Sequence, residues 1–199
     1  MLIRCVQQKW NGKDMKLHKD WVSLDEISNP MQLAVVCSED QNFLKHHGFD
    51  YDAIDRAIDY NKTHKRVRGA STISQQTAKN VFLWPGRGWI RKGFEVYFTF
   101  LIETFWSKER IMEVYLNVIE TGNGVYGAQA SAKDFFKRDA KDISKEQAAL
   151  IAAVLPNPRV MNAKFPGAYV RSRQSFIMNQ MRLWGGVLNY KLKEEIDRK

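Results

Sequence analysis

Apolar residues along this chain recur mainly at the spacing of an α-helix. The cleanest run places five apolar side chains on one helical face, at Ile111, Val114, Tyr115, Val118 and Ile119. A second run with helical spacing occupies residues 53–58. The strict alternation that is typical of half-buried strands is weak throughout. The pattern therefore predicts a mainly α-helical domain.

Helix boundaries are marked by capping and breaking residues. Asn29 followed by Pro30 predicts a cap and the start of a helix that runs toward Glu39, since proline is favoured in the first turn. Thr72-x-x-Gln75 and Ser144-x-x-Gln147 predict capping boxes. Prolines after residue 155 and the glycine pair at 185–186 are expected to end two further helices.

Composition limits the classes of protein to which this chain can belong. A chain of 199 residues is long enough for one good core with a small second lobe. The net charge of +9 indicates an anionic partner, which could be a nucleic acid, a membrane surface or a phosphate-bearing substrate. Two cysteines make neither a disulfide framework nor a metal set, and Cys37 is expected in the core. No apolar stretch reaches the roughly 18 residues of a membrane span.

An acidic pair, Glu39 and Asp40, follows the apolar residues 33–36 and precedes two adjacent histidines. Acids are rarely found at the edge of a core unless specific partners hold them. Adjacent histidines point in different directions, so we expect no zinc site here. One histidine of the pair is expected to hold the loop after Glu39 by a hydrogen bond.

The segment 68–80 combines a glycine, a helix start and a polar helical face. Free backbone N–H groups at a helix start suit an anion. Gln76 lies three residues before Lys79 and four before Asn80, so the three side chains are neighbours on one face. Amides are less usual than Lys, Arg or Glu on a merely solvated face, so a hydrogen-bonding surface is the favoured interpretation. The glycine spacing excludes a Walker loop.

Two further segments carry acids whose role the pattern leaves open. Glu95 lies in the aromatic run 91–106, where a carboxylate is costly unless a cation or a polar cleft meets it. Arg91, one turn earlier, could form a plain ion pair with it. Glu113, Asn117 and Glu120 stand opposite the apolar stripe and by themselves predict only a solvated helical face.

Four segments, in this order, resemble the motifs of glycosyltransferase family 51, the glycosyltransferase domains of bacterial peptidoglycan synthesis. Residues 39–48 match E-D-x-x-F-x-x-H-x-G, and residues 69–80 match G-x-S-T-I-x-Q-Q-x-x-K-N. Residues 91–95 match R-K-x-x-E, and residues 108–117 match K-x-x-I-x-E-x-Y-x-N. The resemblance covers residues 30–160 and is greatest to the monofunctional Gram-negative members. A fifth, basic motif is only loosely met by Arg171 and Arg173.

The resemblance implies a lysozyme-like, mainly α fold with a smaller membrane-proximal lobe, in a single domain over residues 1–199. Similar members carry one N-terminal transmembrane helix, and "MLIRCVQQ" resembles the trailing end of such a helix. The anchor is therefore expected to be missing from this chain. In the full-length protein it would hold the domain at the periplasmic face of the inner membrane.

The resemblance also implies site residues. Glu39 is expected to be the general base. Glu95 is expected to serve the pyrophosphate side, either through a divalent cation such as Mg²⁺ or by orienting cations, and no tightly bound cofactor is expected. Lys79 and Arg87 are expected to meet the leaving pyrophosphate. The other residues expected to contact substrate are Asp40, Phe43, His46, Ser71, Thr72, Gln75, Gln76, Asn80, Arg91, Lys92, Lys108, Glu113 and Asn117.

The implied reaction polymerises lipid-linked disaccharide-pentapeptide (lipid II) into glycan strands. The base takes the proton from an acceptor sugar hydroxyl, whose oxygen attacks the anomeric carbon of the growing strand, and the lipid pyrophosphate leaves with inversion. The implied partners are lipid II, the growing strand and membrane lipids, with other cell wall synthesis or division proteins as further candidates and no nucleic acid. Pyrophosphate and anionic headgroups would account for the positive charge.

Two alternative functions stay open. A lysozyme-like hydrolase would also place carboxylates at a sugar bond, but it gives Lys79 and Arg87 no pyrophosphate to meet. A basic nucleic-acid-binding module would explain Arg and Lys interleaved with Trp in residues 84–92. It leaves Glu39 and Glu95 unexplained, because acids repel a phosphate backbone.

Overall fold

The computed structural model describes residues 9, 16–64, 67, 69–86 and 88–190. Within these residues the chain forms eight α-helices, two short 3₁₀-helices and a small sheet. The α-helices are α1 (Asn29–Glu39), α2 (Tyr51–Thr63), α3 (Ile73–Phe82), α4 (Trp89–Phe105), α5 (Lys108–Val118), α6 (Ala128–Phe136), α7 (Lys145–Val154) and α8 (Ala168–Leu183). The 3₁₀-helices span Leu24–Glu26 and Ala140–Asp142. The predicted mainly α fold is confirmed.

The sheet joins three short strands in the order β1-β3-β2. Strand β1 (His18–Lys19) pairs parallel to β3 (Val125–Tyr126), and β2 (Glu120–Gly122) pairs antiparallel to β3. Asn117 fastens the chain next to β1, because its side-chain amide bonds both the N–H and the carbonyl of Val22. This sheet closes the side of the domain formed by α5 and α6.

The core is built around α1, which is enclosed by α7 and α8. Every residue from Met31 to Cys37 is buried, and so is every residue from Ala148 to Val154 on α7. A helix that is buried on all its faces needs no polar stripe, and α1 has none. Burial raises the pKa of the Cys37 thiol to about 12, so it stays a neutral core group as predicted. The last residue of α1, Glu39, is where this apolar helix emerges from the core.

Most helix starts follow the sequence signals. The capping boxes at Thr72 and Ser144 are both present. The cap of α1 is Ser28 rather than Asn29, because the Ser28 hydroxyl accepts the backbone N–H of Met31. The prediction was wrong by one residue: Ser28 and Asn29 are both good capping residues, and Pro30 fits either of the first two helical positions.

Helix α5 differs from the sequence prediction on its polar side. The five stripe residues are all buried, as expected. The predicted solvated face is wrong at Asn117, which is fully buried, and Glu120 belongs to β2 instead of the helix. The polar side of α5 is covered by the chain around Val22, a contact between distant segments that helical periodicity cannot reveal.

Helix α4 packs against α3 and α5 and leaves a broad apolar face uncovered. Trp89 is 93% exposed, and the exposed residues that continue this face are Ile90, Phe94, Tyr97, Phe100 and Phe105. Among the residues described, no helix combines the length and the apolar character needed to cross a bilayer. The segment "MLIRCVQQ", predicted to follow an anchor, lies outside the described residues.

The turn between α1 and α2 depends on Gly48, which has a φ of +90°. Its carbonyl oxygen accepts the Thr72 hydroxyl at 2.7 Å, tying this turn to the start of α3. A Cβ at this position would stand 2.8 Å from Cγ2 of Thr99 on α4. Both the backbone conformation and the lack of space therefore require glycine.

We expect Gly48→Ala to lower the free energy of unfolding by more than about 1 kcal/mol, since alanine is strained at positive φ and meets Thr99. Urea denaturation measures the change. Gly167→Ala is the matched control: Gly167 has φ −73° and its added methyl meets nothing within 4 Å. Equal stabilities of the two variants would show that the Gly48 turn is not a constraint.

Candidate active site

Two cavities meet at the end of α1. One has a volume of about 460 Å³ and lies toward α2, where its wall includes Asn42, Asp50 and Arg56. The other, of about 730 Å³, lies toward α3, where its wall includes Gln76 and Lys79. Both cavities are lined by Ser38, Glu39, Gly69, Ser71 and Arg173. A group held by Glu39 can therefore be reached from two sides.

Among the described residues, one hydrogen-bond donor contacts each oxygen of the Glu39 carboxylate. Ser38 Oγ donates to Oε1 at 2.9 Å, and Gln76 Nε2 donates to Oε2 at 3.1 Å. Ser38 in turn accepts a hydrogen bond from Arg173 Nη2 at 3.1 Å. Both of these donors are neutral, so within the described residues the carboxylate is oriented without a direct ion pair, and it is half-buried at the cavity wall.

Asp40 points the other way, into the protein. Its carboxylate lies 2.9 Å from His46 Nε2 and accepts the backbone N–H of Ile73 at 3.0 Å. His46 Nδ1 accepts the N–H of Gly48 at 3.1 Å, which assigns the ring proton to Nε2, so His46 donates to Asp40. The expected structural role of one histidine in the loop after Glu39 is confirmed.

The start of α3 is fixed by the same network. Thr72 accepts the N–H of Gln75 and donates to the Gly48 carbonyl, while the Gln75 side chain accepts the N–H of Thr72. Thr72 and Gln75 are buried and engaged by the protein. The exposed Ser71 is the member of this group that lines both cavities.

Lys79 lies on α3 in the wall of the larger cavity. Burial lowers its pKa, as do the charges of Arg91 and Lys92, while Glu95 and Glu39 act in the opposite direction. Within the described part of the chain the ammonium group of Lys79 makes no hydrogen bond or ion pair, although its backbone carbonyl accepts the N–H of Leu83. The cavity thus holds a partly desolvated cation that an incoming anion would stabilise.

Glu95 is buried and paired with two cations, Arg91 Nη1 at 3.3 Å and Lys92 Nζ at 2.6 Å. The ion pair considered for Arg91 is confirmed. Among the described residues no three His, Cys, Asp or Glu side chains are grouped to hold a metal ion. A carboxylate already neutralised by two cations does not fit a divalent cation, so no step is assigned to one.

Several motif residues lie beneath the cavities rather than in their walls. Lys108 Nζ bonds Glu103 Oε1 at 2.7 Å and sits 4.6 Å from the ring centroid of the buried Phe43. Glu103 also accepts the Ser74 hydroxyl. Asn117 bonds Val22, and Glu113 pairs with Arg110 at the surface. The structure thus gives Phe43, Lys108 and Asn117 buried protein partners where substrate contacts were expected.

Asn80, Arg91 and Arg87 are the remaining residues that were predicted to contact substrate. Asn80 Nδ2 and Arg91 Nε are buried and have no hydrogen-bond partner among the residues described. Neither side chain lines the cavities at Glu39. Arg87, the second expected pyrophosphate ligand, lies outside the described residues.

Sequence reasoning missed Ser38, Arg173 and Tyr115 as parts of the site. Tyr115 was assigned to the apolar stripe, and its hydroxyl donates to Gln76 Oε1 at 3.1 Å. Arg173 was noted only as a loose motif match, although it lines both cavities. The available signals were the tyrosine position of the fourth motif and the need of a buried phenol for a polar partner.

The sequence model of the Transglycosylase family matches residues 7–182. The chain belongs to this family. It is 59% identical over 181 residues to a biosynthetic peptidoglycan transglycosylase of Bdellovibrio bacteriovorus, covering 91% of this chain and 72% of that protein. It is 58% identical over 183 residues to one of Bacteroides thetaiotaomicron (92% and 74% covered) and 56% identical over 177 residues to one of Mannheimia succiniciproducens (89% and 72% covered). The family resemblance of the four motifs is confirmed.

We expect Lys108→Met to lower the free energy of unfolding by about 3–5 kcal/mol, because the buried Glu103 carboxylate loses its cation. Chemical denaturation measures the loss. Lys62→Met is the control, since Lys62 and Asp59 form an exposed pair at 2.8 Å that contributes little. If Lys108→Met is as stable as wild type yet inactive, Lys108 contacts substrate as the motif implied.

Proposed function

We propose that this chain is a peptidoglycan glycosyltransferase that polymerises lipid-linked disaccharide-pentapeptide into glycan strands and releases the lipid pyrophosphate. The transglycosylase family and the names of its close relatives support this activity. The observation that carries the mechanism is the position of Glu39, at the junction of two cavities of which one contains the cation Lys79.

Glu39 has the properties that a general base requires. It is carried by the end of a rigid buried helix, and hydrogen bonds on both oxygens fix its direction. It stands where an acceptor in one cavity can meet a donor in the other. Glu39 takes the proton from the acceptor hydroxyl as that oxygen attacks the anomeric carbon of the donor. The configuration at this carbon is inverted, and the lipid pyrophosphate leaves.

The larger cavity suits the donor, because its leaving group is a pyrophosphate. Charge develops on the leaving oxygen, and a cation placed there stabilises the transition state. Lys79 lines this cavity. The ion-paired side chains of Arg91, Lys92 and Glu95 lie close enough for their charges to affect the pKa of Lys79. Glu95 then orients cations rather than acting on the sugar. The smaller cavity, with Arg56, Asn42 and Asp50, takes the acceptor sugar.

A hydrolase fits these contacts less well. It needs a second carboxyl kept protonated beside the sugar bond. Asp40 is bonded to His46 and Ile73, and Glu95 is paired with two cations, so both carboxylates are already engaged by the protein. A nucleic-acid groove is also disfavoured, because the carboxylates of Glu39 and Asp50 line the smaller cavity and would repel a phosphate backbone.

A location in the cell envelope agrees with the activity, and we extend it to contact with the inner membrane. A lipid-linked substrate has to be taken from a bilayer surface. The uncovered aromatic face of α4 suits insertion at the headgroup boundary, and nearby cations suit anionic lipids. Other proteins of cell wall synthesis or division are further proposed partners.

Replacement of the base tests the mechanism. Glu39→Gln keeps the shape of the side chain and removes its basicity, so we expect a loss of polymerisation of about 10²–10⁴-fold with the melting temperature near wild type. Gel analysis of glycan strands formed from labelled lipid II measures the rate. Glu109→Gln is the matched control, because it makes the same change at an exposed residue outside both cavities, and it should retain most activity.

Two results would contradict the proposal. Near-wild-type polymerisation by Glu39→Gln would remove this residue from the chemistry. Release of sugar fragments from purified cell walls by the wild-type protein, lost in Glu39→Gln, would favour the hydrolase.

We expect membrane binding to depend on the α4 face. Trp89→Ser with Phe100→Ser should weaken sedimentation with anionic phospholipid vesicles, because the two side chains are 93% and 62% exposed. Val160→Ser with Phe165→Ser removes side chains that are 79% and 74% exposed but lie outside α4, and serves as control. Equal binding of both double variants, or binding that salt and lipid charge do not change, would refute this orientation.

A further inference from the structure

Glu39 is oriented through a chain of hydrogen bonds that begins in the core. Tyr115 Oη donates to Gln76 Oε1 at 3.1 Å, and Gln76 Nε2 donates to Glu39 Oε2 at 3.1 Å. Tyr115 is fully buried on α5, and Gln76 lies on α3 at the cavity wall. The chain therefore connects the base at the end of α1 to two other helices.

Only one orientation of the Gln76 amide gives every hydrogen in this chain an acceptor. In that orientation the amide oxygen accepts the tyrosine O–H and the amide nitrogen donates to the carboxylate. The reversed amide would point its oxygen at the negative Glu39 carboxylate and would leave the tyrosine hydrogen facing an N–H group. The charge on Glu39 and the Tyr115 hydroxyl thus select the same orientation.

The tyrosine remains a donor under working conditions. Burial raises the pKa of Tyr115 well above its usual value, and the charges of Glu39 and Asp40 raise it further. The hydroxyl therefore keeps its proton at neutral pH and stays a hydrogen-bond donor. Since Tyr115 is wholly buried and absent from both cavity walls, it acts on the reaction only through Gln76.

We propose that Tyr115 is a positioning residue for the glycosyl transfer, fixing Gln76 so that Gln76 holds Glu39 in the geometry of a general base. The inference rests on the proposed role of Glu39. Loss of the phenol frees the Gln76 amide to turn, and the carboxylate loses its aim on the acceptor hydroxyl. A small misplacement of a catalytic group is enough to slow a reaction strongly.

Tyr115→Phe tests the proposal, with Tyr190→Phe as the matched control. The Tyr190 hydroxyl donates to Gln32 Oε1 at 2.8 Å, a second tyrosine–glutamine bond that touches neither cavity. Both variants lose the same type of bond. We expect kcat for lipid II polymerisation to fall roughly tenfold in Tyr115→Phe, with KM unchanged, while Tyr190→Phe keeps the wild-type kcat.

A merely structural role would give a different pattern. It would lower the melting temperature of both variants and leave kcat of the folded protein alike. Wild-type kcat in folded Tyr115→Phe would overturn the proposal.

A double-mutant cycle tests whether the effect passes through Gln76. Gln76→Met removes the amide with little change of length, and should lower kcat at least as much as Tyr115→Phe. Adding Tyr115→Phe to Gln76→Met should cause no further loss, whereas multiplied losses would overturn the relay. If the Tyr115→Phe single variant expresses poorly, the kcat of Gln76→Met can still be compared with that of the double variant. This comparison shows whether Tyr115→Phe causes a further loss.

Glu39→Gln in the same assay separates the two proposals. Activity retained in Glu39→Gln would refute the assigned base, and the positioning role with it. An inactive Glu39→Gln beside a fully active Tyr115→Phe would refute the positioning role alone.

Discussion

The buried carboxylate of Asp40 is the interaction on which the site depends. It joins the end of α1 to the start of α3, because it accepts both His46 Nε2–H and the backbone N–H of Ile73. A buried carboxylate is costly unless such donors meet it, so the two segments are held together. This junction brings Glu39 to Gln76, which lies one turn into α3. Glu39 and Asp40 are adjacent in the sequence but face in opposite directions. Asp40 faces the protein and Glu39 faces the cavities.

Two buried acids below and beside the site, Glu103 and Glu95, are each paired with cations. Glu103 pairs with Lys108 under the turn at Gly48, and Glu95 pairs with Arg91 and Lys92 on α4. Lys79 differs, since it lies in a cavity wall and makes no ion pair within the described part of the chain. Buried pairs stabilise a single arrangement of helices, whereas a cation without a protein partner is available to an anion of the substrate. The distinction separates motif residues that are paired within the protein from Lys79, which we propose to meet the ligand.

In the proposed function, the apolar face of α4 and the polar cavities serve the two parts of a lipid-linked sugar. The helix that exposes Trp89 and Phe100 also carries Glu95, with its paired cations, on its buried side. One helix thus relates the lipid surface to the pyrophosphate end of the larger cavity. A substrate whose lipid remains in the bilayer would present its pyrophosphate at the height of α4.

The sequence by itself determined the helical class, most helix boundaries, the capping boxes and the family. These features follow from local spacing and from residue types at fixed offsets, which need no knowledge of distant contacts. The polar face of α3 was predicted to be a hydrogen-bonding surface, and Gln76 on this face does bond Glu39. The pair of Arg91 with Glu95 was indicated by their spacing.

Only the tertiary structure decided which motif residues line the cavities and which are buried beneath other segments. Lys108 and Asn117 look like surface groups of an amphipathic helix, yet both are buried by segments distant in the chain. Tyr115 looks like a core residue, yet its hydroxyl reaches the network around Glu39. Burial and hydrogen-bond partners arise from the packing of helices against one another. Helical periodicity fixes the face on which a side chain lies but not what covers that face.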